Sequence, residues 1–164
     1  MKKIYIYPGT FCPPHYGHAE LAKEAAKMFG KITVVCSANP LKGDRPVFSP
    51  KDCVEMWKTY KPGRNIKVTT IDEFLKKRGK KDALVMIRGI RNDDDIVYEN
   101  DILRYNRDNY GITHYHYIIA NPRFRDMSST AIWEAARAGN DKELKSLVTK
   151  KVAEKVAEYI KKNK

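Results

Sequence analysis

Short apolar runs alternate along the chain with longer segments whose apolar residues recur at helical spacing. The runs are rich in β-branched residues and tyrosine and are too short to form helices, so they predict strands. Five such runs occupy residues 4–7, 31–38, 65–71, 83–88 and 114–120. Helical or mixed patterns cover about 16–29, 50–60, 72–79, 92–109, 128–138 and 141–164.

Several residues mark the ends of the predicted helices. Ser49 and Pro50 supply an N-cap and a proline at the first helical position, and Gly79 ends the helix that follows the third strand. In the last segment, Val152, Val156 and Ile160 recur every four residues. This spacing predicts one amphipathic helix that runs from Asp141 to the end of the chain.

The alternation of strands and helices predicts an α/β fold, because a right-handed crossover returns each strand parallel to an earlier one. We expect a parallel sheet with helices on both faces, in one domain over residues 1–164. In open sheets of this kind, ligands bind beyond the carboxyl ends of the strands. The loops after strands one, two, four and five are therefore the informative ones.

Composition narrows the class of protein. The chain has 164 residues, 42% of them hydrophobic, which is enough for one buried core. No apolar run approaches the roughly 20 residues that span a bilayer, and the N-terminal one is too short for a signal peptide. Three cysteines without a Cys-x-x-Cys pair favour a reducing cytoplasm. The formal charge of +12 suits a phosphate-bearing partner, although solvation of the surface explains many lysines equally well.

The informative loops carry glycines, hydroxyls and cations. The loop after the first strand reads GTFCPPHYGH (residues 9–18), and the loop after the second contains Lys42. The loop after the fourth strand contains Arg88 and Arg91, and the loop after the fifth contains Arg123, Arg125 and a Ser-Ser-Thr helix start. A ring of such donors at one sheet edge is typical of a polyphosphate site.

Three interpretations of the first loop compete, namely a metal site, a phosphate site and an ordinary loop. Cys12, His15 and His18 as zinc ligands lack a fourth ligand at recognisable spacing, and two prolines separate the cysteine from the histidines. For phosphate binding, Gly9 lets the backbone approach closely and Thr10 adds a hydroxyl donor. The sequence thus favours phosphate over metal in this loop.

The second phosphate candidate is the predicted helix that opens with Ser128, Ser129 and Thr130. A helix start offers free N–H groups and the positive end of a dipole, but serine there also acts as an ordinary N-cap. The Gly-x-Gly-x-x-Gly and P-loop motifs are absent from the sequence. A hydride transferase and a P-loop ATPase are therefore not supported.

Three segments resemble the nucleotidyltransferases. GTFCPPHYGH resembles the (T/H)-x-G-H signature of that superfamily, MSSTAIWEA resembles its I-S-S-(S/T) signature, and IRGIRNDDDIVYE resembles the R-G-(L/I)-R-x-x-x-D-x-x-Y-E segment of phosphopantetheine adenylyltransferases. The third segment is the specific one, because the first is shared with nicotinate-mononucleotide adenylyltransferases and cytidylyltransferases. The resemblance covers essentially the whole chain. It implies a Rossmann-like nucleotidyltransferase fold, with a five-stranded parallel sheet and helices on both faces.

The resemblance also implies a reaction, in which ATP and 4′-phosphopantetheine give dephospho-coenzyme A and pyrophosphate with Mg²⁺. It implies a homohexamer, which we expect in the cytoplasm without nucleic-acid or membrane partners. The residues implied to bind the phosphopantetheine are Thr10, Lys42, Phe74 and Arg88. The residues implied to bind the nucleotide are Thr10, Phe11, His15, His18, Gly89, Ile90, Arg91, Glu99, Phe124, Arg125, Asp126, Met127, Ser128, Ser129 and Thr130. The implied catalytic residues are His18, Lys42 and Arg91, with no metal bound by the protein itself.

These roles agree with the chemistry of the reaction. The acceptor phosphate is already a nucleophile at neutral pH, so catalysis consists of positioning and of stabilising charge on the α-phosphate. His18, protonated or as a hydrogen-bond donor, would stabilise that charge, while Lys42 and Arg88 would hold two anions close together. Arg91 would receive the pyrophosphate. Glu99 is expected to bind the ribose or base of ATP or to orient an arginine.

Two residues depart from the family pattern. Cys12 stands where the family usually has aspartate, and Trp133 stands where a basic residue commonly follows the second signature. A helix start, two histidines and several cations near Cys12 would favour its thiolate. Alternatively, Cys12 packs as a small, inert apolar side chain. Both interpretations of Cys12 remain open at this point.

Two other functions are compatible with parts of the sequence. The sequence PPHYGH in the first loop also suits nicotinate mononucleotide as the acceptor. A basic nucleic-acid-binding α/β protein is the alternative of another class, supported by the charge and by ten tyrosines. Its basic residues should form one continuous face with aromatic residues between them. The candidate cations lie instead at strand ends.

Overall fold

The computed structural model describes residues 2–38, 47–79 and 81–163. Within these residues, five strands and seven α-helices follow the predicted alternation. The strands are β1 (Lys3–Gly9), β2 (Ile32–Cys36), β3 (Ile66–Thr70), β4 (Ala83–Ile90) and β5 (His114–Ile119). The helices are α1 (Tyr16–Phe29), α2 (Pro50–Lys58), α3 (Ile71–Lys77), α4 (Asp93–Tyr110), α5 (Ser129–Arg137), α6 (Asp141–Leu147) and α7 (Lys150–Lys162). In this described part of the chain, no helix is both long and apolar enough to cross a membrane.

The five strands form one parallel sheet in the order β3-β2-β1-β4-β5. From β1 the chain builds outward through β2 to β3, and it then returns to the other side of β1 to add β4 and β5. The strand order therefore reverses between β1 and β4, which is where open α/β sheets bind their ligands. The predicted five-stranded parallel sheet is confirmed.

Alternate residues of the strands pack on opposite faces of the sheet. On one face, Tyr7, Val34 and Ile87 join a buried cluster that includes Trp57 of α2 and residues of α1, α5, α6 and α7. On the other face, residues of β1, β2 and β4 form a second buried cluster with Phe74 of α3. Helices thus cover both faces, as predicted.

The break between α6 and α7 is a correction, because the sequence predicts one helix from Asp141 to the end. Val148 is extended and fully buried in the core, and Thr149 follows it as the N-cap residue of α7. The Thr149 hydroxyl lies 2.7 Å from the hydroxyl of Thr59, at the end of α2. Tertiary contacts therefore interrupt the helix. The apolar face predicted for the last helix is confirmed for α7, whose Val152 and Val156 are buried.

The buried face of α7 makes a stability prediction. Replacing Val156 with alanine leaves a cavity against the core, so the free energy of unfolding should fall by roughly 2 kcal/mol. The matched control is Glu154→Ala on the exposed side of the same helix, which should change stability by less than about 0.5 kcal/mol. Urea denaturation of both variants measures the difference. Equal stability of the two variants would show that the buried face of α7 does not stabilise the core.

Candidate active site

The first loop of the site folds back on itself. Phe11 has a φ of 47°, and its buried ring packs edge-on against His18 and Trp57, with centroids 4.9 and 5.1 Å away. A Cβ at Gly9 would lie 2.7 Å from that ring, so glycine is required for this close approach. The Phe11 side chain is therefore part of the core. Only its main chain is left to meet the nucleotide that the sequence predicts there.

His15 and His18 cap the start of α1 reciprocally. His15 Nδ1 accepts a hydrogen bond from the His18 N–H, and His18 Nδ1 accepts one from the His15 N–H, each at 3.3 Å. The two rings are stacked with centroids 3.5 Å apart. A Cβ at Gly17 would lie 3.0 Å from His15 Nδ1, so glycine makes room for the ring. The H-x-G-H spacing thus builds a helix cap with both imidazoles at the site.

Both histidines are neutral in the folded protein. Burial, followed by the charge of Arg91, lowers the pKa of His15 to about 3. Burial, His15, Arg91 and Arg88 hold the pKa of His18 well below its usual range. Because His18 Nδ1 accepts a hydrogen bond, its proton lies on Nε2. Of the two forms considered for His18, the structure favours the neutral hydrogen-bond donor.

Arg88 is held by a buried ion pair between β4 and α4. Its Nε and terminal nitrogen Nη2 donate to Glu99 Oε1 at 2.8 and 2.6 Å, and Nη1 donates to the carbonyl of Pro8 at 3.0 Å. Glu99 thus orients an arginine, one of the two roles expected for it. Its second oxygen, Oε2, is buried without a hydrogen-bond partner among the described residues. The pair ties β1, β4 and α4 together at the strand reversal.

Arg91 lies in the loop between β4 and α4, and Asp95 holds its side chain in place. Its guanidinium donates to both carboxylate oxygens, at 2.9 and 3.0 Å, and the Arg91 N–H donates to Asp95 Oδ2 at 2.8 Å. A third guanidinium bond reaches the Met127 carbonyl at 3.3 Å. The sequence analysis missed Asp95 as a positioning residue. Its i, i+4 spacing from Arg91 within the arginine-rich segment is the signal that identifies it.

The start of α5 is fastened to the first loop. The Ser128 side chain accepts a hydrogen bond from the Ala131 N–H at 3.1 Å, so it acts as an N-cap. The Ser129 hydroxyl donates to the carbonyl of Pro13 at 3.2 Å. Thr130 is exposed in the first turn, where backbone N–H groups lack acceptors within the helix. Both serine hydroxyls are therefore engaged by the protein, and the backbone remains to bind an anion.

A cavity of about 270 Å³ opens between the sheet, α3 and α4. Thr10, Phe74 and Arg88, three of the four residues predicted to bind phosphopantetheine, line it together. The fourth, Lys42, lies outside the described residues. Most of the remaining wall is apolar, and Asn106 adds a buried amide that donates to Met86 Sδ at 3.4 Å. The cavity therefore combines one strong cation with a long, mostly neutral lining.

The other residues predicted to bind nucleotide follow β4 and β5. Gly89 and Ile90 end β4, and a Cβ at Gly89 would come within 2.2 Å of Leu21 Cδ1. Phe124 lies in a short 3₁₀ turn beside Gly17, while Arg125 and Asp126 are exposed. The structure thus places Gly89 and Phe124 against α1. Their roles toward a nucleotide stay predictions.

The metal interpretation of the first loop gains no support. Within residues 2–38, 47–79 and 81–163, no three His, Cys, Asp or Glu side chains are arranged to hold a metal ion. The Cys12 sulfur instead accepts a hydrogen bond from the Phe48 N–H at 3.2 Å. The two histidine rings use their Nδ1 atoms for the helix cap.

Comparisons with known proteins define the family. The cytidylyltransferase-like family model matches residues 6–135. A phosphopantetheine adenylyltransferase of Caldanaerobacter subterraneus is 32% identical over 98% of this chain and 99% of its own. One from Nitrosomonas eutropha is 33% identical over 86% of this chain and 85% of its own. The chain belongs to the phosphopantetheine adenylyltransferase family.

Solved structures agree with this family at the level of the fold. A nicotinic acid mononucleotide adenylyltransferase of Plasmodium falciparum in complex with NaAD superposes with a TM-score of 0.64 at 13% identity, covering 99% of this chain and 96% of its own. A putative nicotinate-nucleotide adenylyltransferase of Vibrio parahaemolyticus gives 0.60 at 19% identity, with 94% and 91% covered. At such identities the likeness shows the nucleotidyltransferase fold alone.

The two departures from the phosphopantetheine adenylyltransferase pattern contact one another. Trp133 Nε1 donates to the carbonyl of Cys12 at 3.3 Å. The Trp133 ring also stacks on Phe48, whose N–H donates to the Cys12 sulfur. Where a basic residue commonly follows the second signature, this chain therefore has an aromatic support for its first loop.

The neutral histidines predict how stability depends on pH. His15 and His18 stay unprotonated in the folded state but take up protons near pH 6.5 when unfolded. The unfolded state then binds more protons, so the free energy of unfolding should fall as the pH drops from about 6.5 to about 5. Each histidine contributes at most roughly 1.4 kcal/mol per pH unit. Urea denaturation at several pH values measures the slope.

Single substitutions test whether His15 and His18 cause this pH dependence of the free energy of unfolding. His15→Asn keeps a side chain that caps helices well, and it should remove about half of the slope. The exposed His114→Asn on β5 is the matched control and should keep the whole slope. A His15→Asn variant with an unchanged slope would contradict the neutral, buried state of His15.

Proposed function

We propose that this protein transfers the adenylyl group of ATP to 4′-phosphopantetheine, releasing pyrophosphate and forming dephospho-coenzyme A. The observation that carries the proposal is the cavity lined by Thr10, Phe74 and Arg88, which opens at the strand reversal between β1 and β4. The relatives named phosphopantetheine adenylyltransferase, similar over nearly the whole chain, give further support.

The shape and polarity of the cavity support a phosphorylated, extended acceptor. Arg88 and Thr10 offer donors to a phosphate, and Arg88 cannot turn away because Glu99 and the Pro8 carbonyl hold it. Beyond them the lining is mostly apolar, with the Asn106 amide as a polar point deeper in the wall. A flexible arm with amide groups suits this lining better than the ribose and ring of nicotinate mononucleotide.

The charges around the cavity suit an in-line attack on the α-phosphate. The acceptor phosphate needs no general base, so the site has to hold it next to ATP and stabilise the transferring group. His18 Nε2–H is a neutral donor for the α-phosphate oxygens. Arg91, held by Asp95, and the N–H groups at the start of α5 are donors for the pyrophosphate. Lys42 is proposed for the two reacting phosphates on the strength of the resemblance alone.

Magnesium enters this proposal as part of the MgATP substrate. The carboxylates nearest the proposed site are engaged, Glu99 by Arg88 and Asp95 by Arg91. Among the described residues, no acidic cluster forms a cage for a cation. Mg²⁺ commonly binds through substrate phosphates and retained waters, which agrees with a site whose own side chains are mainly cationic.

The hexamer, the cytoplasmic location and the absence of nucleic-acid partners remain parts of the proposal. The resemblance supports the hexamer, as do apolar side chains exposed on α4 and β5, namely Ile96, Val97, Tyr117 and Ile119. Free cysteines agree with a reducing compartment. Arg88 and Arg91 are engaged by carboxylates, and Arg88 lines the cavity, which argues against a continuous basic face for nucleic acid.

An acceptor panel tests the reaction. With ATP and magnesium, pyrophosphate release should be at least roughly tenfold faster with 4′-phosphopantetheine than with nicotinate mononucleotide or choline phosphate, because a misfitted acceptor loses alignment at the α-phosphate. A coupled pyrophosphate assay measures the rates. Equal or faster turnover with nicotinate mononucleotide would overturn the assignment of the acceptor.

A second test addresses His18. Replacing His18 with alanine should lower turnover roughly a hundredfold or more while ATP affinity changes little, because its hydrogen bond strengthens as charge develops in the transition state. The exposed His114→Ala is the matched control and should keep full turnover. Steady-state kinetics and ATP titration separate the two effects. A His18→Ala variant with weaker ATP binding and intact turnover would exclude the catalytic role.

A further inference from the structure

Three consecutive carbonyls of the first loop each accept a hydrogen bond from a side chain elsewhere in the fold. Two side chains of α5 donate to the carbonyls of Cys12 and Pro13, at 3.3 and 3.2 Å. The Tyr60 hydroxyl, just beyond the end of α2, donates to the carbonyl of Pro14 at 2.7 Å. The bond from Tyr60 is the shortest of the three, and it holds the last peptide group before the histidine cap of α1.

The carbonyl of Pro14 differs from the other two in what its peptide group carries at the opposite end. The other two carbonyls are followed by proline nitrogens, which have no hydrogen. The Pro14 carbonyl is followed by the N–H of His15, which donates to His18 Nδ1 at 3.3 Å. Because a peptide group is planar and rigid, its C=O and N–H turn together. One peptide group thus connects the Tyr60 hydroxyl to the His18 ring.

The Tyr60 ring is fixed independently of its hydroxyl. The ring is buried and packs edge-on against Trp57 and Tyr16, with centroids 6.1 and 5.4 Å away. Pro14 is fully buried as well, and a buried acceptor that loses its donor is unfavourable. Removing the hydroxyl alone would therefore leave the ring in place and free the peptide group to turn.

The orientation of that peptide group matters for the proton of His18. A neutral imidazole has one donor and one acceptor nitrogen, and the hydrogen bond at one nitrogen decides which of them carries the proton. The His15 N–H occupies Nδ1 of His18, which keeps the proton on Nε2. This Nε2–H is the donor that the proposed adenylyl transfer directs at the α-phosphate.

We propose that Tyr60 is a positioning residue for His18 and acts through the peptide group between Pro14 and His15. Its hydroxyl fixes the plane of the peptide group, and the N–H of that group fixes the orientation and the tautomer of the His18 ring. The inference rests on the proposed function, which gives His18 Nε2 its role. The hydrogen bonds themselves do not depend on that function.

A positioning role and a purely structural role of Tyr60 predict different kinetics. If Tyr60 only stabilises the fold, loss of its hydroxyl lowers the stability of the protein and leaves the kinetic constants of the folded enzyme unchanged. If Tyr60 positions His18, kcat and kcat/KM fall by the same factor, because an interaction made in the transition state is lost while substrate binding is kept.

The first measurement is the steady-state kinetics of Tyr60→Phe. This substitution should lower kcat for pyrophosphate release roughly tenfold and leave the KM values of ATP and 4′-phosphopantetheine within roughly twofold. The loss should be smaller than that of His18→Ala, because the imidazole is still present. A parental kcat, or a change confined to KM, would overturn the proposal.

Two control variants separate this effect from others. Tyr159→Phe also removes a hydroxyl from a ring beside the loop, since Tyr159 packs edge-on against Trp133 with centroids 5.6 Å apart. Among the described residues, its hydroxyl makes no hydrogen bond to the first loop, so this variant should keep full turnover. Val156→Ala destabilises the core away from the loop and should keep full turnover of the folded protein. A comparable loss of kcat in either control would overturn the proposal.

The second measurement is hydrogen exchange of backbone amides, which needs no turnover. In full-length Tyr60→Phe, the His15 N–H should exchange roughly tenfold faster than in the parent, because the freed peptide group turns away from His18 Nδ1. The N–H of Leu21, in the middle of α1, is the internal reference and should keep its rate. NMR of the ¹⁵N-labelled protein measures both rates. An unchanged rate at His15, or equal acceleration at both amides, would overturn the proposal.

The two measurements distinguish failure of this inference from failure of the proposed function. A parent that releases no pyrophosphate with any acceptor would contradict the proposed function. Faster exchange at His15 alone would then still support the connection from Tyr60 to His18, and unchanged exchange would overturn it. In an active parent, faster exchange at His15 combined with unchanged turnover would overturn the positioning role.

Discussion

The buried ion pair of Arg88 and Glu99 is the constraint on which the candidate site depends. Removing two charges from water costs several kcal/mol per ion, and their attraction repays this only when the geometry is good. Here one carboxylate oxygen receives two donors of the guanidinium, and the Pro8 carbonyl receives a third. The pair therefore holds a cation at the strand reversal in a fixed orientation. Its value lies in that placement rather than in net stability.

Around this fixed charge, the site avoids further charge at the histidines. Burial lowers the pKa of both His15 and His18, and repulsion by Arg91, joined by Arg88 at His18, adds to the same effect. The reciprocal cap then leaves His18 with a proton on Nε2 and no net charge. A neutral donor does not bind the ground-state phosphates as tightly as a cation would, which leaves more of its stabilisation for the transition state.

Much of the fold is predictable because its determinants are local. The strands follow from short apolar runs, and α1 has the predicted bounds of residues 16–29 because glycine follows its last residue. The α6–α7 break is not predictable in this way, since the sequence pattern stays helical and the burial of Val148 decides it.

The candidate site likewise has features that the local sequence predicts and features that depend on distant contacts. Strand-end residues such as Thr10 and Arg88 are brought together as the alternation predicts, since parallel strands present their carboxyl ends at one edge. The environment of Cys12 depends on Phe48, which is 36 residues away. No local pattern in the loop signals this partner. The pairing of Arg91 with Asp95 is local, and its i, i+4 spacing can be recognised in the sequence.

The bonds between α5 and the first loop have a consequence for how the site is assembled. Ser129 to Pro13 and Trp133 to Cys12 span 116 and 121 residues of sequence. Contacts between residues so far apart in sequence form only after the chain entropy of a very long loop has been lost. The two signature segments therefore become one unit only when nearly the whole sheet is in place between them. An intact site therefore indicates that the whole chain has folded, because neither half of the chain can form the site alone.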